Sequence, residues 1–152
     1  MSIKAKYVHT NLIAEDWHSL VDFYIKIFNC EKAPPERHFK GKALEKGTGI
    51  PGAELEGVHL KLPGYGKDGP TLEIFQYNKM MDRQMIAVNR PGFGHIAFSV
   101  ENVERAAEQV LNAGGKNLGD IVTLETADGA KVKWVYLTDP EGNIIELQSL
   151  IK

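Results

Sequence analysis

At 152 residues the chain is long enough for one domain with a sizeable core. A formal net charge of −2 gives no basic footprint for nucleic acid, and no apolar run reaches the roughly 18 residues of a membrane span. The first residues, Met-Ser-Ile-Lys-Ala-Lys, lack a secretory leader pattern and Cys30 is a lone cysteine, so a soluble cytoplasmic protein without an internal disulfide is expected.

Residues Lys6 to Ile13 read as a strand, and Asp16 is a good helix cap. Trp17, Leu20, Val21, Tyr24 and Phe28 then recur at helical spacing, with Asn29 suited to a left-handed end. Cys30, just beyond, reads as a small buried hydrophobe. Pro34-Pro35 forces an extended or turned segment, and Gly41 to Gly52 reads as a short helix or loop. "EGVHLKLPG" and Thr71 to Tyr77 are strands around the turn "YGKDGP". A connector follows from Asn78 to Gly92, where "KMMDRQMIAV" suggests a short helix packed through Met80, Met81 and Met85. Gly94 to Val100 is the next strand, and Asn102 caps a helix that runs to about Asn112 and ends at Gly114-Gly115. Strands are predicted near Asn117 to Leu124, Lys131 to Thr138 and Asn143 to Leu150, the last two joined by the tight turn "DPEGN".

The order repeats. A first β-α-β-β-β segment covers about 5–78, a linker 79–91, and a second such segment about 92–150, together one domain over 1–152. His9 aligns with His95 and Glu73 with Glu146. The glutamates lie closer in sequence than the histidines do, which fits the extra segment around Gly41 to Gly52 in the first half.

Side chains alternate across a strand. In "HIAFSV", Ile96, Phe98 and Val100 take one face and His95, Ala97 and Ser99 the other. In "NIIELQ", Glu146 lies opposite Ile145 and Leu147; in "TLEIFQ", Glu73 lies opposite Leu72 and Ile74; in "VHTNLI", His9 shares its face with Asn11. A glutamate between apolar strand residues is costly unless paired or metal-bound. Two such glutamates, each repeat-related and each with a histidine, point to one shared divalent metal, Ni²⁺, Zn²⁺, Co²⁺, Mn²⁺ or Fe²⁺, held by His9, Glu73, His95 and Glu146. His18 falls on the polar side of its helix, His38 in a polar loop, and His59, sharing a face with Gly57 and Lys61, on the surface.

The stretches "HTNLIAEDWHSLVDFYIKIFNCE", "PGFGHIAFSVENVERAAEQVLNAGG" and "VYLTDPEGNIIELQ" resemble the vicinal oxygen chelate superfamily, and within it metal-dependent glyoxalase I, over nearly the whole chain. That resemblance implies an α+β fold of paired βαβββ modules, forming a cupped, partly open mixed β-barrel with flanking helices. It implies a homodimer acting on a small molecule. It also implies a lyase or isomerase that moves a proton through a metal-stabilised enediolate on a vicinal-oxygen substrate, such as a 2-oxoaldehyde hemithioacetal. Glu146 is then the first candidate for the base and Glu73 the second. Epimerases of 2-acyl-CoA usually carry glutamine at the Glu73 position, extradiol dioxygenases use iron with two histidines and one carboxylate, and antibiotic-binding members generally lack the ligands. These three remain the alternatives. One departure stands out: Ile13 occupies the place of an arginine that helps bacterial glyoxalase I hold glutathione, and Arg90 is the candidate substitute for substrate binding.

Overall fold

Six apolar side chains on one helix organise the first half of the chain. In the computed structural model, which describes residues 2–151, α1 (Trp17–Phe28) buries Trp17, Leu20, Val21, Phe23, Tyr24 and Phe28. Each aliphatic or phenyl group removed from water contributes roughly 1.5–3 kcal/mol before chain entropy is counted. The Asp16 carboxylate accepts from the Ser19 N–H at 3.2 Å and the Ser19 hydroxyl at 2.6 Å, so the helix begins where the cap predicts. It ends at Asn29, left-handed at φ 55°, whose N–H reaches the Ile25 carbonyl while the Cys30 N–H reaches that of Tyr24. Cys30 is buried, and that burial pushes its thiol up to about 11.

The chain divides into two units between Asp82 and Arg83. In the first, β1 (His9–Ile13), β2 (Glu31–Lys40), β3 (Glu54–Lys61) and β4 (Thr71–Tyr77) form a mixed sheet in the order β1-β4-β3-β2, with a short α2 (Lys42–Thr48) after β2. Only the β1-β4 pairing is parallel. Val58, Leu60, Leu72 and Ile74 are buried on the face that α1 covers. The predicted loop or helix at Gly41 to Gly52 is thus a helix. His38, expected in a loop, lies in β2 and pairs with Glu56 at 3.1 Å. Its strand was obscured by Pro34-Pro35, where the register of β2 on β3 shifts between Ala33 and Arg37.

The second unit repeats the design with β5 (Ile96–Ser99), α3 (Val103–Asn112), β6 (Lys116–Asn117), β7 (Val122–Glu125), β8 (Lys131–Thr138) and β9 (Ile144–Ile151). Its sheet runs β5-β9-β8-β6, with β7 also on β8 and β5 parallel to β9. The predicted strand at Asn117 to Leu124 is therefore two short pieces, interrupted at 118–121. The Asn102 side chain accepts from the Arg105 N–H at 2.7 Å, and α3 buries Val103, Ala107 and Val110. In the "DPEGN" turn the buried Asp139 carboxylate accepts from the Glu141 and Asn143 N–H groups and from the Asn143 amide.

The helix expected in the connector does not form: 79–87 is irregular. Met81 and Met85 are 92% and 79% exposed, so no packing face exists there to stabilise so short a helix. Among the described residues no helix is long and apolar enough to cross a membrane.

Candidate metal centre

Register decides which side chains meet on each sheet. In the first unit Asn11 pairs with Glu73 across β1-β4, and His59 pairs with Glu73 across β3-β4. These three form one row on the face away from α1. His9 pairs with Thr71 in the row on one side of Glu73, and Ile13, Phe75 and Gly57 form the row on the other side.

Glu73 is held from both sides. Its Oε1 accepts from the Asn11 amide at 2.9 Å and lies 3.6 Å from His9 Nε2; its Oε2 lies 2.6 Å from His59 Nε2. The His59 Nδ1 sits 2.8 Å from the Thr71 hydroxyl, which sets the orientation of the ring. Burial holds His59 below the usual imidazole range, with Glu73 opposing that shift and Arg37 and His9 adding to it. The His9 and His59 rings meet edge to face at 5.2 Å.

His9, His59 and Glu73 each offer a ligand atom, all within 4.8 Å of one another. Bonds of about 2.1 Å put neighbouring donors roughly 3.0–3.4 Å apart in octahedral or tetrahedral geometry. The His9–Glu73 and His59–Glu73 separations lie on either side of that range, so this donor set could hold a divalent cation after small side-chain shifts.

In the second unit His95 immediately precedes β5 rather than lying within it. Its Nε2 lies 2.8 Å from Glu146 Oε2. The register neighbours of Glu146 are Ala97 on β5 and Tyr136 on β8. The Tyr136 ring is 4.9 Å from His95 and 4.8 Å from Trp134. Burial raises the Tyr136 hydroxyl above its ordinary range, with the Glu146 charge adding to the effect.

Each predicted histidine–glutamate pair is thus brought together within its own unit. Arg90 lies in the irregular connector before β5, half-buried. Ile13 is 38% exposed on the same face as His9. His59 was misplaced by the sequence pattern: it is half-buried against Glu73, not a surface residue. Its signal was present in "VHL", where a histidine alternates with two fully buried apolar residues just as Glu73 does in "LEI".

Residues 6–147 match the model of the glyoxalase/bleomycin resistance protein/dioxygenase superfamily. A Caenorhabditis elegans protein named glyoxalase 1 is 32% identical over 95 residues, 61% of this chain; the match spans about a third of that relative's length (31%). The lactoylglutathione lyase of Escherichia coli O157:H7 is 26% identical over 145 residues, covering 93% of this chain and 90% of that one. In fold, the chain is similar to a glyoxalase family protein from Bacillus cereus, with a TM-score of 0.73 at 16% identity over 100% of this chain and 97% of that one. A fosfomycin resistance protein from Listeria monocytogenes gives 0.61 at 18% identity over 99% and 96%.

Proposed function

The chain belongs to the glyoxalase/bleomycin resistance protein/dioxygenase superfamily, and on that premise we propose that it is a metal-dependent lyase or isomerase of the glyoxalase I type. The observation that carries this reading is the repeated pairing of one histidine with one glutamate at repeat-related positions, His9 with Glu73 and His95 with Glu146. His9, Glu73, His95 and Glu146 would hold one divalent metal, Ni²⁺, Zn²⁺, Co²⁺, Mn²⁺ or Fe²⁺. When bound, the metal would act as a Lewis acid toward two vicinal oxygens of a small-molecule substrate.

The chain's own residues would move the proton. Glu146 takes it from the carbon next to a carbonyl and returns it to the neighbouring carbon, so the product is an isomer of the bound substrate. Glu146 suits that role because its carboxylate is paired with the His95 side chain, whereas Asn11, His9 and His59 all meet Glu73. Glu73, fastened by Asn11 and His59, suits a fixed position and is the second candidate. Arg90 is the proposed anion contact, and the proposed assembly is a cytoplasmic homodimer.

Ile13 supports a second reading of the substrate. It is in register with Phe75, so an apolar pair occupies the row beside Glu73. A vicinal-oxygen substrate with an apolar rather than anionic group would suit that row.

Metal analysis of the purified protein, followed by turnover of the methylglyoxal–glutathione hemithioacetal after reconstitution with Ni²⁺, Co²⁺ or Zn²⁺, tests the proposal. One metal per chain with turnover is the expected result. Bound metal without turnover would move the substrate to other vicinal-oxygen compounds, and absence of metal binding would overturn the enzyme reading in favour of a small-molecule binding protein.

A further inference from the structure

We propose that Arg37 and Lys61 form an anion subsite on the first unit, which takes a carboxylate or phosphate group of the substrate. This deepens the lyase or isomerase reading above and rests on it for where the reacting oxygens sit. It adds a contact to Arg90 and leaves that residue its own role.

The register places both cations on the face that carries Glu73. Across β1-β4-β3-β2, one row holds His9, Thr71, Lys61 and Glu31; the next holds Asn11, Glu73, His59 and Ala33; the third holds Ile13, Phe75, Gly57 and Arg37. Lys61 and Arg37 thus stand one row to either side of the His59 row. Rows on one face are about 6.6 Å apart, a distance that both long side chains can span. The floor between them is low, because Ala33 ends the middle row and Gly57 has no side chain. Two strand spacings separate this edge from Glu73, about 10 Å, so the anionic group would sit several bonds from the reacting oxygens.

Both cations are half-buried, and neither makes an ion pair among the described residues. Glu31 is the register neighbour of Lys61, yet it is exposed and does not pair with it. Arg37 Nη1 donates to the Pro35 carbonyl, which fastens the guanidinium to its own strand. Its charge reaches His59, where it opposes protonation. A half-buried cation without a carboxylate partner keeps its field for a ligand. The guanidinium fork suits two oxygens of a carboxylate or phosphate, and the ammonium adds a point charge. Ile13 fills the β1 end of the Arg37 row, so the apolar contact and the cation occupy opposite ends of one row.

The experiment compares wild type, Arg37→Gln/Lys61→Gln and Arg90→Gln, with folding checked by circular dichroism. Calorimetric titration with S-methylglutathione, and separately with inorganic phosphate, is run with and without added Co²⁺. Alongside it, kcat/KM is measured for the methylglyoxal adducts of glutathione and of uncharged 2-mercaptoethanol.

Wild type is expected to bind one of the two anions, and the double variant to bind it about tenfold or more weakly, the loss expected of a charge-assisted hydrogen bond. If that anion is S-methylglutathione, the preference for the glutathione adduct should fall by a similar factor, and the source is a carboxylate. If it is phosphate alone, the substrate is phosphorylated. A wild type that binds neither anion, equal binding by the double variant, or an effect confined to Arg90→Gln would overturn the subsite. Equal loss of kcat/KM on both adducts would make the two cations structural and overturn it as well. Anion binding through Arg37 and Lys61 without turnover of either adduct would keep the subsite and remove the lyase reading; turnover without anion binding would do the reverse. Should the double variant unfold, Arg37→Gln and Lys61→Gln made singly give the same comparison.

Discussion

Glu73 and Glu146 occupy matching places on β4 and β9, yet their surroundings differ in kind. Asn11 and His59 flank the first, whereas Ala97 and Tyr136 flank the second. The row before each glutamate differs too: Thr71 in the first unit corresponds to Ile144 in the second. One carboxylate is thus tied by three polar side chains and the other by one. A repeated fold has supplied two equivalent positions, and the neighbours have given them unequal freedom. Under the proposed function, which needs both a fixed ligand and a movable base, that inequality favours Glu73 for the first role and Glu146 for the second.

The largest test of the assignment exchanges each glutamate for glutamine. Glu146→Gln is expected to lower turnover by about 10²–10⁴-fold, the range of a lost general base, while bound metal is retained. Glu73→Gln is expected to lose metal and turnover together, because it removes charge from the more fastened ligand. Steady-state rates beside metal content measured on the same samples distinguish the two. Turnover that survives in Glu146→Gln but fails in a metal-loaded Glu73→Gln would reverse the roles.

Thr71→Val sharpens the comparison from the other side, by giving the first unit a purely apolar residue where the second has Ile144. His59 Nδ1 would lose its 2.8 Å partner. Because His59 helps to orient Glu73, Co²⁺ affinity should fall by about 10–100-fold. No change would mean that strand packing alone sets the His59 ring.

A third difference lies one row further along. Gly57 faces Phe75 in the first unit, whereas Trp134 faces Gln148 in the second. At Gly57 φ is +155°, and an added Cβ would overlap the Ile74 carbonyl oxygen and the Phe75 ring. The close approach of that backbone explains why the first unit has no side chain where the second has its largest. Gly57→Ala is expected to destabilise the protein by about 1–3 kcal/mol in urea unfolding, the usual cost of overpacking. A neutral result would place the cause elsewhere.

Much of this was legible in the residues. The helices were bounded by Asp16, Asn29 and Asn102, each of which makes the expected backbone contact. The faces of β4 and β9 followed from strict alternation around Glu73 and Glu146. Period 2 tells which way a side chain points but not which neighbour it meets. His59 was misjudged for that reason, since its contact with Glu73 depends on the β3-β4 register, set by the turn at 62–70. The Met80–Met85 segment failed for a different reason: its helical spacing had no partner surface, and a short isolated helix does not stand alone. In β2, Pro34-Pro35 hid a strand that its partner β3 stabilises on either side of the register shift.

The smallest expected effect concerns the two helix caps, which are equivalent in place but not in chemistry. Asn102→Ala should cost about 1 kcal/mol at any pH, because an amide cap does not titrate. Asp16 behaves differently. The Ser19 hydroxyl and then the Ser19 N–H hold its carboxyl below the usual range by binding the charged form. The folded state therefore takes up this proton less readily than the unfolded chain, so the contribution is present above the ordinary aspartate range and is lost as pH falls through the folded value. Asp16→Asn should remove that part of the acid sensitivity, and Asn102→Asp should introduce the same sensitivity in α3. Urea unfolding at neutral and acidic pH, compared as differences from wild type, measures both. If Asp16→Asn and wild type lose stability in parallel through the acid range, the Asp16 carboxylate contributes nothing that a neutral cap does not.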